Sequence, residues 1–288
     1  MGGMPSWWPL SHAWPCLIAL ASVAACANPV PLPPKAVQLN RLGAAALEEG
    51  DLATAEARLA VAIEYSPKFT EAWVNLGLVA LRRGDLRDAR KQVGHARSLN
   101  PDLPAPHHAM GLIEESGGRW KKAEACYRAA LKVDPGFAPS RSNLGRLLFS
   151  HGRFDEAREQ FLRLTEVAPD TLEGWLGLAE AQLRLGDERG SDMTTHRARL
   201  RFGDPPDLLV LVARQMMRRG AFADAEETLA PLTAVADRRR RARAWAWLAV
   251  ARLGGGSATE AGVAADEALA MDPEDPVARY VLYRTGRL

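Results

Sequence analysis

The chain has 288 residues and 31.3 kDa, with 37 Lys and Arg against 35 Asp and Glu, a net charge of +2 and a sequence pI near 8.5. So even a balance argues against a globally basic nucleic-acid binder, and 47% hydrophobic with 25% charged residues argues against a disordered chain. Three cysteines cannot make a disulfide-dense scaffold, and 7% aromatics mean a core of alanine and aliphatic side chains.

Residues 1–25 contain no Asp, Glu, Lys or Arg, and 16–25 run without a break through small and apolar side chains. Ten residues rise about 15 Å as a helix, half of a ~30 Å hydrocarbon core, so a secretory h-region is favoured over a membrane span. Val23-Ala24-Ala25-Cys26 comes directly after it and resembles the lipobox of the bacterial lipoprotein family. That resemblance implies a signal peptide over 1–25 and lipid attachment at Cys26. Ala27, standing where Asp would retain the protein in the inner membrane, implies the outer membrane and a periplasmic orientation. Several acyl chains on one residue anchor durably, whereas one chain binds reversibly. The n-region holds no Lys or Arg, only His12, so translation starting at Met4 or upstream, and a plain secretory signal cut near Ala25, stand beside this reading.

Residues 26–35 read as a proline-rich tether, with four prolines between Ala27 and Lys35. Such a segment is extended, at ~3.1 Å per residue, and holds the first helix a few nanometres from a lipid surface. Cys126 is then the one cysteine of the mature body, which rules out an internal disulfide. Within a helical pattern it reads as a small buried hydrophobe rather than a reactive thiol.

From Ala36 onward the chain repeats every 34 residues. Four windows begin at Ala36, Thr70, Pro104 and Ala138. Position 8 is Gly43, Gly77, Gly111 and Gly145; position 15 is Gly50, Gly84, Gly118 and Gly152. Position 20 is Ala55, Ala89, Ala123 and Ala157, and position 32 is Pro67, Pro101, Pro135 and Pro169. Apolar residues at positions 4, 7 and 11 share one helical face. Glycine at 8 admits a close neighbour, glycine at 15 reverses the chain, alanine at 20 marks a helix crossing, and proline at 32 stops the second helix.

This pattern resembles the tetratricopeptide repeat family. The resemblance implies an all-α solenoid, a right-handed superhelix of about seven helix-turn-helix repeats: 36–69, 70–103, 104–137, 138–171, 172–205, 206–239 and 242–275, capped by 276–288. Stacked pairs share a core, so 36–288 reads as one elongated body. The fifth repeat keeps Trp175, Leu178 and Gly186, but Gly190, Ser191 and Thr195 weaken its second helix. Hydrogen exchange is expected to be fastest near 187–196.

Catalytic chemistry has little support. There is no GxxxxGK[ST] loop, no GxGxxG after a strand and no HExxH. His107 and His108 point about 100° apart on a helix, which suits packing better than a metal site. The pairs Glu48-Glu49, Glu114-Glu115 and Glu226-Glu227 read as solvated helix ends rather than acid–base machinery. No cofactor, metal, nucleic acid or small-molecule substrate is expected. The run Arg238 to Arg241 reads as a solvated linker and helix start after Asp237, with an anionic phosphate or lipid patch as the other reading.

Binding is expected on the first helices, whose positions 5, 6, 9, 12 and 13 face the hollow side in the resembled family. The candidates are Asn75, Leu78, His108, Leu112, Asn143 and Arg146. Asparagine amides can pair with a peptide backbone, Leu78 and Leu112 offer apolar contact, and Arg146 offers a carboxylate partner. The cationic clamp of chaperone-binding members would need Lys and Arg at positions 5 and 9, where Asn40, Ala44, His108 and Leu112 stand instead. Together, lipobox, tether and repeats resemble the type IV pilus pilotin lipoproteins. Within the repeats, Asn143 to Phe149 and Gly152 to Ala157 carry that resemblance. It implies an envelope protein partner such as a secretin, and a lipid membrane reached through acylated Cys26. An accessory scaffold for an envelope polysaccharide or cell-wall synthesis complex is the alternative.

Overall fold

The computed structural model describes residues 31–287; the lipobox, Cys26 and the first part of the tether lie outside the described residues. Among the described residues every regular element is helical. The first repeat pairs α1 (Pro34–Glu49) with α2 (Leu52–Tyr65), the second α3 (Thr70–Arg82) with α4 (Leu86–Leu99), the third α5 (Pro104–Ser116) with α6 (Trp120–Val133). Then come α7 (Ala138–Ser150), α8 (Phe154–Val167), α9 (Leu172–Arg184), α10 (Glu188–Phe202), α11 (Pro206–Arg218) and α12 (Phe222–Leu229). The last pair is α13 (Arg238–Gly254) with α14 (Ala258–Met271), closed by α15 (Pro276–Arg284). Where the repeat arithmetic expects a single body, these helices gather into two compact units that divide between Leu147 and Leu148, inside α7.

Among the described residues three hairpin turns are built from a Gly-Asp pair, and in the others the left-handed glycine is followed by Arg119, Arg153, Ala221 or Ser257, which make no side-chain cap. Gly84 adopts φ 83, a left-handed value that costs glycine nothing. Its N–H bonds to the Leu81 carbonyl and that of Asp85 to the Ala80 carbonyl, both at 3.0 Å, which ends α3 in a Schellman turn. The Asp85 carboxylate then accepts from the Arg87 and Asp88 N–H groups and caps α4. One dipeptide thus stops one helix and starts the next. Gly50-Asp51 and Gly186-Asp187 repeat the arrangement, their aspartates capping α2 and α10.

Between the helices of a pair, small faces large. Ala55, Ala89, Ala123 and Ala157 are fully buried. Gly111 lies against the fully buried ring of Tyr127, and a Cβ there would sit 2.6 Å from Cδ1 and 3.0 Å from Cζ. Gly43 against Leu59 and Gly77 against Val93 are the same contact in the first two repeats. Cys126 is half-buried beside Tyr127, and burial, with Glu114 nearby, pushes its thiol pKa up.

A second recurring contact joins successive repeats. The position-4 side chain reaches back six residues to the carbonyl of the preceding position-32 proline. Trp73 Nε1 donates to Pro67 at 2.8 Å, Trp175 Nε1 to Pro169 at 2.9 Å and Arg279 Nε to Pro273 at 3.1 Å. Arg141 bonds Pro135 in the same way. His107 Nε2 lies 2.9 Å from the Pro101 carbonyl, a contact that the Nε2–H tautomer satisfies. The packing role expected for His107 is therefore this hydrogen bond, in the place of a Trp or Arg.

The later repeats vary in ways the sequence shows only in part. Pro231 comes after α12 and converts its continuation into a single 3₁₀ turn, Ala230–Ala234. The residues inserted before the seventh repeat form an extra turn at the start of α13 rather than a linker. Asp237 caps that turn, accepting from the Arg240 N–H at 2.8 Å. Asp207 takes Arg240 at 3.1 Å and Arg243 at 3.2 Å, while Arg238 and Arg241 reach the Ala270 and Val235 carbonyls. This is the solvated-helix-start reading of the arginine run, with its charge partly neutralised.

Candidate functional site

The candidate binding residues sit on first helices, and most of them are spent within the stack. In the N-terminal unit the Asn75 amide donates to the Asn40 side chain at 2.9 Å, joining α3 to α1. His108 on α5 shares a 3.0 Å hydrogen bond between Nδ1 and the Ser140 hydroxyl of α7, and lies 5.6 Å from the ring centroids of both Tyr127 and Phe137. Burial, with the Arg146 charge added, lowers the His108 pKa to about 3. Leu112 is closed over by its neighbours, and Asn143 accepts from Arg146 Nη2 at 2.8 Å.

Asn75, His108, Leu112 and Asn143 are each less than a tenth exposed. The expectation that they line an open hollow is corrected by their burial: Asn75 and His108 turn to adjoining first helices, and Asn143 to Arg146 of its own helix. Leu78 and Arg146 remain half-buried and reachable. Arg146 also pairs with Glu115 at 3.3 Å, and Glu115 accepts the Tyr127 hydroxyl at 2.6 Å. Tyr127 is consequently held far from ionisation, by burial first and by Glu115 second. Nearby, Glu114 is buried between Arg90, at 3.1 Å, and Arg119.

The C-terminal unit carries a ladder that the sequence reading did not pick out. Glu180 on α9 is buried and receives two hydrogen bonds from Arg214 on α11, at 2.5 and 2.8 Å, and one from Arg184 at 3.2 Å. Burial alone would raise its pKa, but the two guanidinium groups outweigh that and hold the carboxyl below its ordinary range. Arg214 lies over the Trp247 ring at 4.6 Å. Arg184 lies 5.6 Å from Phe149 and 5.8 Å from Phe154, which meet edge to face. The signal was present in the sequence: Arg146, Glu180 and Arg214 recur at the 34-residue spacing, at position 9, with alternating sign.

This surface presents guanidinium groups that a partner could meet. Paired, partly exposed guanidinium groups over aromatic faces suit carboxylates, carbonyls and side chains of another polypeptide. No group of His, Cys, Asp and Glu able to hold a metal occurs among the described residues. A cavity of about 180 Å³ between α10 and α11 is bordered by Asp192, His196, Arg199 and Arg219, with Gln215 in its wall. Its cations are already taken, Arg199 by Asp204 and Arg219 by Asp192. No described helix is long and apolar enough to cross a membrane.

Two tetratricopeptide repeat family models match the chain, one over residues 46–113 and 116–180, the other over 213–276. No curated protein matches it. Among solved structures, a tetratricopeptide repeat protein from Parabacteroides merdae is 19% identical at a TM-score of 0.65, covering 88% of this chain and all of its own. Pseudomonas aeruginosa pilF is 17% identical at 0.59, covering 75% of this chain and 97% of its own. PilW, described as a widely conserved type IV pilus biogenesis factor, is 20% identical at 0.60, covering 70% and 94%. At these identities the likeness is one of fold.

Proposed function

Because the chain belongs to the tetratricopeptide repeat family, whose members serve as protein-binding scaffolds, we propose that it holds a cell-envelope polypeptide against its first-helix face from an anchor in the outer membrane. The observation that carries this reading is the ladder of Arg184, Glu180 and Arg214. Its carboxylate is fully satisfied, while its guanidinium groups keep an open edge, with side chains 21% and 18% exposed. Such groups are fixed in place before a partner arrives, so little ordering entropy is lost on binding. In the N-terminal unit, Leu78 and Arg146 offer a contact of their own. Its role is to position a partner, without chemistry of its own.

Val23-Ala24-Ala25-Cys26 and the proline tether support periplasmic display from acylated Cys26. The pilotin resemblance and the fold shared with PilW, described as a type IV pilus biogenesis factor, support a secretin of the type IV pilus as the partner. The test is affinity capture from envelope extracts, with secretin multimers measured in a deletion strain. Capture of a secretin and loss of multimers are expected. Capture of a polysaccharide or cell-wall synthase, with multimers intact, would replace the pilus reading.

A further inference from the structure

Helix α10 is built inside out relative to the other second helices. At position 24 the first four repeats bury Leu59, Val93, Tyr127 and Phe161, and at position 20 they bury alanine. In α10 these places hold Thr195 and Ser191. They form a polar seam: Gln215 Nε2 donates to Ser191 Oγ at 2.7 Å, Ser191 to the Ala179 carbonyl at 2.8 Å, and Thr194 to Gln182 at 2.8 Å. Two large apolar side chains are on the outside, while Phe202 at the helix end is half-buried. Met193 is 57% exposed and Leu200 76%.

Arg189, Met193, Arg197 and Leu200 share one stripe, within an arc of about 80° at 100° per residue. The other cations around the helix are neutralised: Arg199 by Asp204, Arg201 by Asp170, Arg218 by Glu188 and Arg219 by Asp192. Arg189 and Arg197 have no acidic partner among the described residues. The cavity between α10 and α11 is bordered by other residues than these four. An exposed ridge of apolar side chains alternating with unneutralised arginines is the surface that an amphipathic helix offers to a charged interface.

We propose that this ridge seats on an anionic phospholipid surface, with Arg189 and Arg197 over headgroup phosphates and Met193 and Leu200 at the acyl boundary. The anchored reading supplies the membrane that the ridge would meet, but the test removes that anchor throughout. The Cys26→Ser chain is floated at low salt with vesicles of phosphatidylglycerol in phosphatidylcholine, and with phosphatidylcholine alone. Association with the anionic vesicles only is expected. R189Q with R197Q should weaken it about thirtyfold, from about fivefold per basic residue near an anionic surface. M193S with L200S should weaken it about a hundredfold, since two apolar side chains lose their burial. Helix content by circular dichroism should be unchanged in both, as all four side chains point outward. Equal binding to the two vesicle types, or equal binding of parent and variants, would overturn the proposal. So would variants that bind vesicles normally and instead lose capture of an acidic polypeptide.

Discussion

Acidification should destabilise the fold through one buried histidine. His108 is 3% exposed, enclosed by Tyr127, Phe137 and Ser140. Its pKa is lowered from 6.5 to about 3, by burial first and Arg146 second. Below pH 6.5 the unfolded chain binds a proton here that the folded chain refuses. Stability is therefore fully present above pH 6.5 and falls as pH falls through the window from 6.5 to about 3. The slope is about 1.4 kcal/mol per pH unit, which makes about 2 kcal/mol between pH 6.5 and 5. Urea unfolding followed by circular dichroism at pH 7.5 and 5.0 measures it, with His108→Asn as the reference. Asparagine keeps a polar atom toward Ser140 and does not titrate. The natural chain should lose about 2 kcal/mol more than the variant between the two pH values. Equal losses, or an imidazole resonance of His108 that moves near pH 6.5, would refute the reasoning.

Other substitutions probe the packing. Gly111→Ala drives a Cβ into the immobile Tyr127 ring and should cost about 1–3 kcal/mol in denaturant unfolding. Gly94→Ala, inside α4 with nothing within 4 Å of the added Cβ, should stabilise by about 0.5–1 kcal/mol in the same assay. Glu180→Ala leaves Arg214 and Arg184 facing each other half-buried and should cost about 2 kcal/mol, less than the full price of a buried pair because both guanidinium groups reach solvent. Amides of 187–196 should exchange faster than those of α4, α6 and α8, because a polar seam replaces their apolar stripe; uniform protection would contradict this.

The repeat columns were legible because each is a steric or conformational demand that one residue type meets. Gly84 at positive φ, Ala89 at a crossing and Gly111 under a ring leave no alternative that a sequence could hide. The candidate site was less legible. Positions 5 and 6 of a first helix flank position 9, about 40° and 60° away at 100° per residue, and Asn75 and His108 turn toward Asn40 and Ser140 on adjoining first helices. Position 9 carried the better signal. The alternation of Arg146, Glu180 and Arg214 is a spacing pattern, but its meaning needed the Glu180–Arg214 contact to be seen. The extra turn of α13 was hidden because its length came from a two-residue insertion within the run Arg238 to Arg241, which reads equally as linker or helix start.

Site-specific photocrosslinking in envelope preparations tests the binding account most directly. A photoreactive side chain replaces Leu78, Arg184 or Met217 on the first helices, and Lys122, Glu159 or Val263 on second helices. The account predicts that the first-helix sites trap an envelope polypeptide while the second-helix sites do not. Adducts formed only from the second helices, or none from the first, would contradict it.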